Sequence, residues 1–189
     1  MSNETSQSKL QLMDPPAVVA LFGQVRWAWI WLLLRVYLGY TWISASIEKL
    51  GNPAWMDGGT ALKGFWTNAV TVPAAPARPA IAFGWYRSFL QAMLDAGAYT
   101  WFAKLVAVGE FLIGLALILG IFTGIAAFFG GFMNWNFMMA GSASTNPLLF
   151  TIAIFLILAW KTAGWLGLDH WILPALGTPW QPGRVFKKK

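Results

Sequence analysis

The sequence predicts an all-α protein, a bundle of four membrane-spanning helices with short amphipathic helices at the bilayer interface in a long first loop. Three observations lead there. The chain has 189 residues, 58% of them hydrophobic and only 11% charged, where a soluble domain of this length carries roughly a quarter charged residues. Its mean hydropathy is +0.57, and its apolar residues gather into four runs of membrane-crossing length, about 17–25 residues each. Its 13 Trp and 4 Tyr supply amphipathic rings of the kind that settle at the headgroup level. The surplus apolar surface faces lipid, and the length leaves room for one compact unit with no second domain.

Each element follows in chain order. Residues 1–24 form a polar N-terminal segment that opens with Ser2, Asn3, Glu4 and Thr5 and passes through Pro15-Pro16. It reads as a mobile tail as far as Pro15, then a short interfacial helix over Val18–Phe22. No cleavable signal is evident, because the apolar stretch comes late and no small-residue cleavage site follows it. The membrane domain is expected over 25–170. Its first span, 27–47, begins in Trp27, Trp29 and Trp31 and stops at Glu48-Lys49, before Gly51-Asn52-Pro53.

The long outer loop, 51–98, contains Pro53, Pro73, Pro76 and Pro79. Two stretches in it, Gly59–Val70 and Trp85–Ala96, place apolar residues at three- and four-residue spacing. They are too short or too polar to span, so they read as amphipathic helices on the bilayer surface or capping the bundle. The second span, 99–119, and the third, 124–140, are separated only by Gly120–Thr123, which makes them antiparallel neighbours. After a Gly/Ser turn, Asn146 is the expected N-cap with Pro147 at the first helical position. The fourth span covers 148–166, and a basic tail, 171–189, ends in three lysines.

Four spans place both termini on one side. The terminal segments hold Lys9, Arg26, Arg184 and the final lysines. Positive-inside bias therefore predicts a multi-pass protein of the cell (inner) membrane with both termini cytoplasmic and 51–98 outside. The net charge of +6 fits that bias together with attraction to anionic lipid. The basic residues form no stripe, which argues against nucleic acid.

Composition also limits the chemistry. The chain has no Cys and one His. Disulfides, thiolate nucleophiles and Cys-held iron–sulfur clusters are excluded, and no metal site is expected. No covalently bound cofactor is expected either. Redox chemistry here requires a borrowed cofactor, a diffusible quinone, or a partner subunit.

Arg35 and Glu110 each interrupt an apolar run, and ionisable groups at such depth face the protein interior, pair, or mark a functional site. At 1.5 Å rise per residue, Arg35 lies roughly 12 Å, Glu110 roughly 16 Å and Asn134 roughly 15 Å from the start of its span. The three are expected in one layer, with Arg35 and Glu110 adjacent. That pair reads either as a structural ion pair or as a ligand-binding and protonating centre. On the first span Tyr37, Thr41, Ser44 and Glu48 recur at helical spacing as one polar stripe. Tyr37, Asn134, Thr41 and Ser44 are thus candidate groups around a bound head group, or helix–helix hydrogen-bonding groups. Glu48, Lys49, Lys63, Lys104, Arg78 and Arg87 near the outer boundary read as snorkelling anchors. The alternative to that favoured reading makes Lys49, Lys104, Arg78 and Arg87 an anion-attracting mouth for substrate.

Several segments resemble the DoxX/DoxD family of four-helix membrane proteins. They are Arg35-Val-Tyr-Leu-Gly39 with Glu48-Lys49-Leu50, Glu110-Phe-Leu-Ile-Gly114 with Leu119-Gly120-Ile-Phe-Thr123, Asn134-Trp-Asn136 through Gly141 with Asn146-Pro147, and Gly167-Leu168-Asp169. The resemblance covers about 35–170. It implies a quinone-facing bundle and, in its best-defined activity, oxidation of thiosulfate to tetrathionate with electrons passing to membrane quinone. Depth and helix face make Glu110 and Arg35 the catalytic candidates, and the resemblance makes them the residues to test first. The partners are membrane lipid, quinone, and a partner subunit or a second copy of the chain. The rival expectation is a non-catalytic anchor or assembly subunit of a redox complex. A small-solute transporter ranks third, because neither inverted repeats nor broken helices are visible in the sequence.

Overall fold

The structure is a computed structural model that describes residues 13–178 and 181–186. The polar residues 1–12 and the terminal lysines 187–189 lie outside the described residues. Among the described residues the fold is all-helical, apart from one two-residue strand pair.

Helix α1 (Pro16–Gly23) begins with a proline in its first turn, where the missing N–H costs nothing. A 3₁₀ turn (Val25–Trp27) leads into α2 (Ala28–Leu50). Short α3 (Pro53–Met56) is capped by Asn52, whose side chain accepts from the Ala54 N–H at 2.9 Å. Two amphipathic helices follow, α4 (Thr60–Val70) and α5 (Gly84–Asp95). Helix α6 (Tyr99–Leu119) stops at Gly120 with φ +69°, the left-handed conformation that glycine adopts freely at a helix end. Helix α7 (Thr123–Met139) returns antiparallel to it.

The fourth apolar run departs from expectation. It is not one helix over 148–166 but α8 (Asn146–Leu158) followed by a break and a short α9 (Trp160–Ala163). Asn146 is not the N-cap either. Thr145 holds that position without a side-chain cap bond, and the Asn146 amide donates to the Ser142 carbonyl at 2.9 Å. The chain closes with α10 (Asp169–Leu176) and the strand pair β1 (Gly177–Thr178) and β2 (Gln181–Pro182).

Among the described residues, two stretches are long and apolar enough to cross a membrane, Val25–Leu50 and Tyr99–Leu119. They pack antiparallel on each other through glycines. A Cβ on Gly114 would stand 2.7 Å from the Gly39 carbonyl, and one on Gly39 would stand 2.9 Å from the Gly114 carbonyl. Small residues allow apolar helices to approach this closely. That crossing fixes the register: Gly39 faces Gly114, Arg35 meets Gly120, and Lys49 reaches Glu110. Helix α7 packs on both α6 and α8, and α8 also contacts α2.

The apolar interior has two parts. One lies among α2, α6, α7 and α8 and includes Trp31, Leu38, Trp42, Ile113, Leu117, Ile152 and Leu156. The other lies under α4 and α5 and includes Leu62, Trp66, Ile81, Tyr86, Leu90, Ala103 and Ala140. The segment 51–98 therefore folds as a lid over the ends of α6 and α7, of the two arrangements open from sequence. Tyr86 ties it down, its hydroxyl lying 3.1 Å from both the Asn136 carbonyl and the Asn136 side-chain oxygen.

Candidate functional site

Two charged centres are buried inside this frame, one midway along α6 and one at its C-terminal end. Glu110 is 1% exposed on the inner face of α6, in line with Ala103, Ala107 and Gly114. Its carboxylate accepts from the Lys49 ammonium at 2.7 Å. Lys49 in turn lies over the Trp55 ring, 5.3 Å from its centroid, and its side chain is 18% exposed. The pair thus runs from the rim near α3 to a fully enclosed carboxylate. It sits between the two apolar clusters.

Asn134 shares this level. It lies eleven residues after Thr123 on α7, and Glu110 lies ten before Gly120 on α6, so each stands ~15 Å from the α6–α7 turn at helical rise. Asn134 is fully buried, and neither end of its amide has a protein partner. The Trp42 indole N–H is likewise buried and unpartnered, packed against bare Gly130 one turn from Asn134. Buried amide and indole groups without partners are costly, so this layer holds donors and an acceptor suited to a polar group.

The second centre is Arg35, also 1% exposed. Its Nη2 donates to the Leu166 carbonyl at 2.9 Å, and its guanidinium lies against Gly120 and Gly167, where any Cβ would collide with it. Asp169 lies two residues beyond Gly167. Asp169 is itself engaged, accepting from the backbone N–H groups of Phe122 at 2.6 Å and Thr123 at 2.8 Å. A carboxylate at the start of α7 satisfies the helix's free N–H groups and complements its dipole. Backbone bonds from Leu168 to Leu119 (3.1 Å) and from Asp169 to Gly120 (2.7 Å) complete the knot.

Arg35 and Glu110 are therefore not adjacent, contrary to the sequence expectation. Arg35 meets Gly120, ten residues beyond Glu110 on α6, about 15 Å along the helix. The one-layer expectation treated Trp27 and Tyr99 as level with opposite membrane faces. The Gly39–Gly114 crossing sets a different register. The Arg35 side chain also leans toward the N-terminus of its own helix, as helical side chains do, which carries it further from Glu110.

The polar stripe of α2 is corrected as well. Tyr37 is 47% exposed, Glu48 is exposed, and Thr41 and Ser44 are half-buried. Thr41 donates to the Tyr37 carbonyl on its own helix at 3.0 Å. The buried line of α2 is Trp31, Arg35, Leu38, Trp42 and Ser46, and it continues to Lys49. Among the outer cations, Lys104 and Arg78 are exposed and Arg87 is half-buried. Lys49 is the one cation of that set that reaches Glu110. Sequence reasoning missed Lys49 as the partner of Glu110, and it gave Asp169 and Trp42 no role in a site. A signal existed for the first: Lys49 stands fourteen residues, close to four turns, from Arg35 and so on its face.

A family model for DoxX matches residues 30–141, more than half of the chain, from the first turn of α2 past the end of α7. The chain belongs to the DoxX family. As a DoxX protein with two helices of membrane-crossing length, it is a membrane protein. Lys49, Glu110, Asn134 and Arg35 all fall inside the DoxX match, and Asp169 falls outside it. No curated protein and no solved structure matches the chain.

Proposed function

We propose that this DoxX protein is the membrane subunit of a redox system that passes electrons from a small sulfur anion, such as thiosulfate, to quinone. The observation that carries the reading is the Lys49–Glu110 pair, whose cation touches the rim while its carboxylate is enclosed in the same layer as unpartnered Asn134 and Trp42. Quinone carbonyls accept hydrogen bonds, and the Trp42 N–H and the Asn134 amide are donors available for that purpose. Lys49 offers a positive charge to an arriving anion, with Arg78, Arg87 and Lys104 adding to the field at longer range.

The balanced reaction joins two thiosulfates through a new S–S bond, giving tetrathionate and two electrons, while quinone takes up those electrons and two protons. On this proposal Glu110, paired with Lys49, hands protons to the reduced head group. In this reading α2, α6, α7 and the α8–α9 pair all cross the cell membrane as a four-helix bundle. Both termini face the cytoplasm and the α3–α5 lid lies outside. Helix α8 has 13 residues, ~20 Å at helical rise, so it needs α9 to complete a crossing.

One sequence observation favours a second reading, an anchor or assembly subunit. A chain with no Cys and one His leaves electron-carrying groups to a partner. Native purification in mild detergent, with mass spectrometry of bound quinones and proteins, separates the two. The redox reading expects purified protein to reduce a quinone analogue with thiosulfate, and it expects Glu110→Gln to lose that activity and bound quinone together. An inert protein that co-purifies with a cofactor-bearing subunit, and whose Glu110→Gln variant assembles as well as the wild type, establishes the anchor instead.

A further inference from the structure

Two adjoining clefts open at the Arg35–Asp169 end. One, of about 310 Å³, is lined by Lys161, Trp165, His170, Leu173 and Arg184 among others. The other, of about 450 Å³, is lined by Phe122, Ile125, Ile157 and Leu173 with their neighbours. Leu173 and Asp169 border both, so the two compartments are continuous. The first is basic. Its carboxylate, Asp169, already accepts two backbone N–H groups of α7, while Lys161 and Arg184 are exposed. The His170 ring closes one wall, edge-on to Trp165 with centroids 4.4 Å apart. The second is apolar and continues into the exposed Ile125, Phe129 and Leu158 of the outer helix faces.

A basic compartment leading into an apolar one matches an anionic amphiphile. We propose that this paired cleft binds one acidic phospholipid from the surrounding bilayer, its phosphate between Lys161 and Arg184 and an acyl chain along Ile125 and Ile157. Charge complementarity selects the head group, and the apolar groove selects a lipid over a free anion. The tryptophans around it, Trp160, Trp165 and Trp171, are of the type that marks the headgroup level. The proposal does not depend on the redox reading.

The test uses the full chain, purified in mild detergent after exposure to vesicles of mixed phosphatidylglycerol and phosphatidylcholine, with retained lipid measured by native mass spectrometry. Wild type is expected to retain phosphatidylglycerol preferentially. Lys161→Gln/Arg184→Gln is expected to lose that preference by roughly tenfold to thirtyfold, from the usual attraction per basic residue near an anionic head group. Ile125→Trp, which fills the apolar groove, is expected to weaken retention without touching the charges. Added phosphatidylglycerol is expected to raise the melting temperature of wild type and leave that of the double glutamine variant unmoved, and matching melting temperatures without lipid show that both are folded. Equal retention of the two lipids by wild type overturns the proposal, as does unchanged preference in the glutamine variant. Displacement of the lipid by millimolar inorganic phosphate, with no effect of Ile125→Trp, assigns the cleft to a free anion and overturns it too.

Discussion

Lys49 reaches across the α2–α6 interface to Glu110, 2.7 Å away, and carries the charge of a carboxylate that no solvent touches. Removing one partner of a buried pair strands the other. Lys49→Met or Glu110→Ala alone is expected to destabilise the protein by about 3–5 kcal/mol. Lys49→Met/Glu110→Leu, which removes both charges and fills the space, is expected to recover most of that loss. Unfolding in detergent reads both effects. Single variants as stable as wild type would show that the pair contributes little to holding the helices together.

The Gly39–Gly114 crossing sets the register that brings Lys49 to Glu110. A Cβ on Gly114 would meet Ile43 at 2.6 Å and the Gly39 carbonyl at 2.7 Å. Gly114→Ala and Gly39→Ala are each expected to cost about 1–3 kcal/mol through overpacking. The double variant should cost less than their sum, since one separation of the helices relieves both. Gly109→Ala is the control on the same helix, where a Cβ would find only the Met133 sulfur at 4.0 Å, and it should be close to neutral.

Asp169 caps α7 from outside that helix. Asp169→Ala leaves the Phe122 and Thr123 N–H groups without their acceptor, and a loss of about 1–3 kcal/mol is expected. Asp169→Asn keeps one acceptor and should fall between. Hydrogen exchange at the Phe122 and Thr123 amides should speed up in the same order. Protection unchanged in the alanine variant would show that the cap is dispensable.

Tyr86 makes the lid pH-sensitive at the alkaline end. Burial pushes its phenol above the ordinary value of 10.0. The unfolded chain therefore ionises first as pH rises. The lid keeps its full stability below pH ~10 and loses it progressively above that value. Alkaline titration followed by proteolysis within 51–98 should show the lid opening. Tyr86→Phe should remove this pH dependence and cost about 1 kcal/mol at neutral pH through the lost hydrogen bond to Asn136. A lid that opens at the same alkaline pH in that variant would assign the effect to another group.

The long helices were readable because their apolar runs are continuous and their ends carry punctuation. Gly120 stops α6, and Gly51-Asn52 separates α2 from α3, which Pro53 opens. The amphipathic segments of the lid were readable because three- and four-residue spacing survives even between prolines. The break between α8 and α9 was not readable, since Leu158-Ala159-Trp160 is as apolar as any helix interior. Nothing local distinguishes that apolar break from a turn of helix.

Glu110 and Arg35 were legible as sites because a charge inside an apolar run has no cheap location except the interior. Their partners were not. A stripe chosen by polarity selected Tyr37, Thr41, Ser44 and Glu48, whereas the buried line of α2 places Leu38, Trp42 and Ser46 between its two cations, with Trp31 a turn before them. Around an apolar helix, hydrophobic residues serve the interior and the lipid alike, so polarity is a poor guide to the inner face.

Composition alone determined that this chain is helical and membrane-embedded, and that it brings no thiol and one imidazole to any chemistry. Those properties are sums over residues and require no knowledge of contacts. The tertiary structure decided which charge meets which. Lys49 belongs to Glu110, and Arg35 belongs to the Leu166 carbonyl, because a glycine crossing slides two helices into one register and a chain segment 131 residues away closes on Arg35. Register between helices depends on which surfaces approach most closely, and that is a property of the packed pair rather than of either strip of sequence.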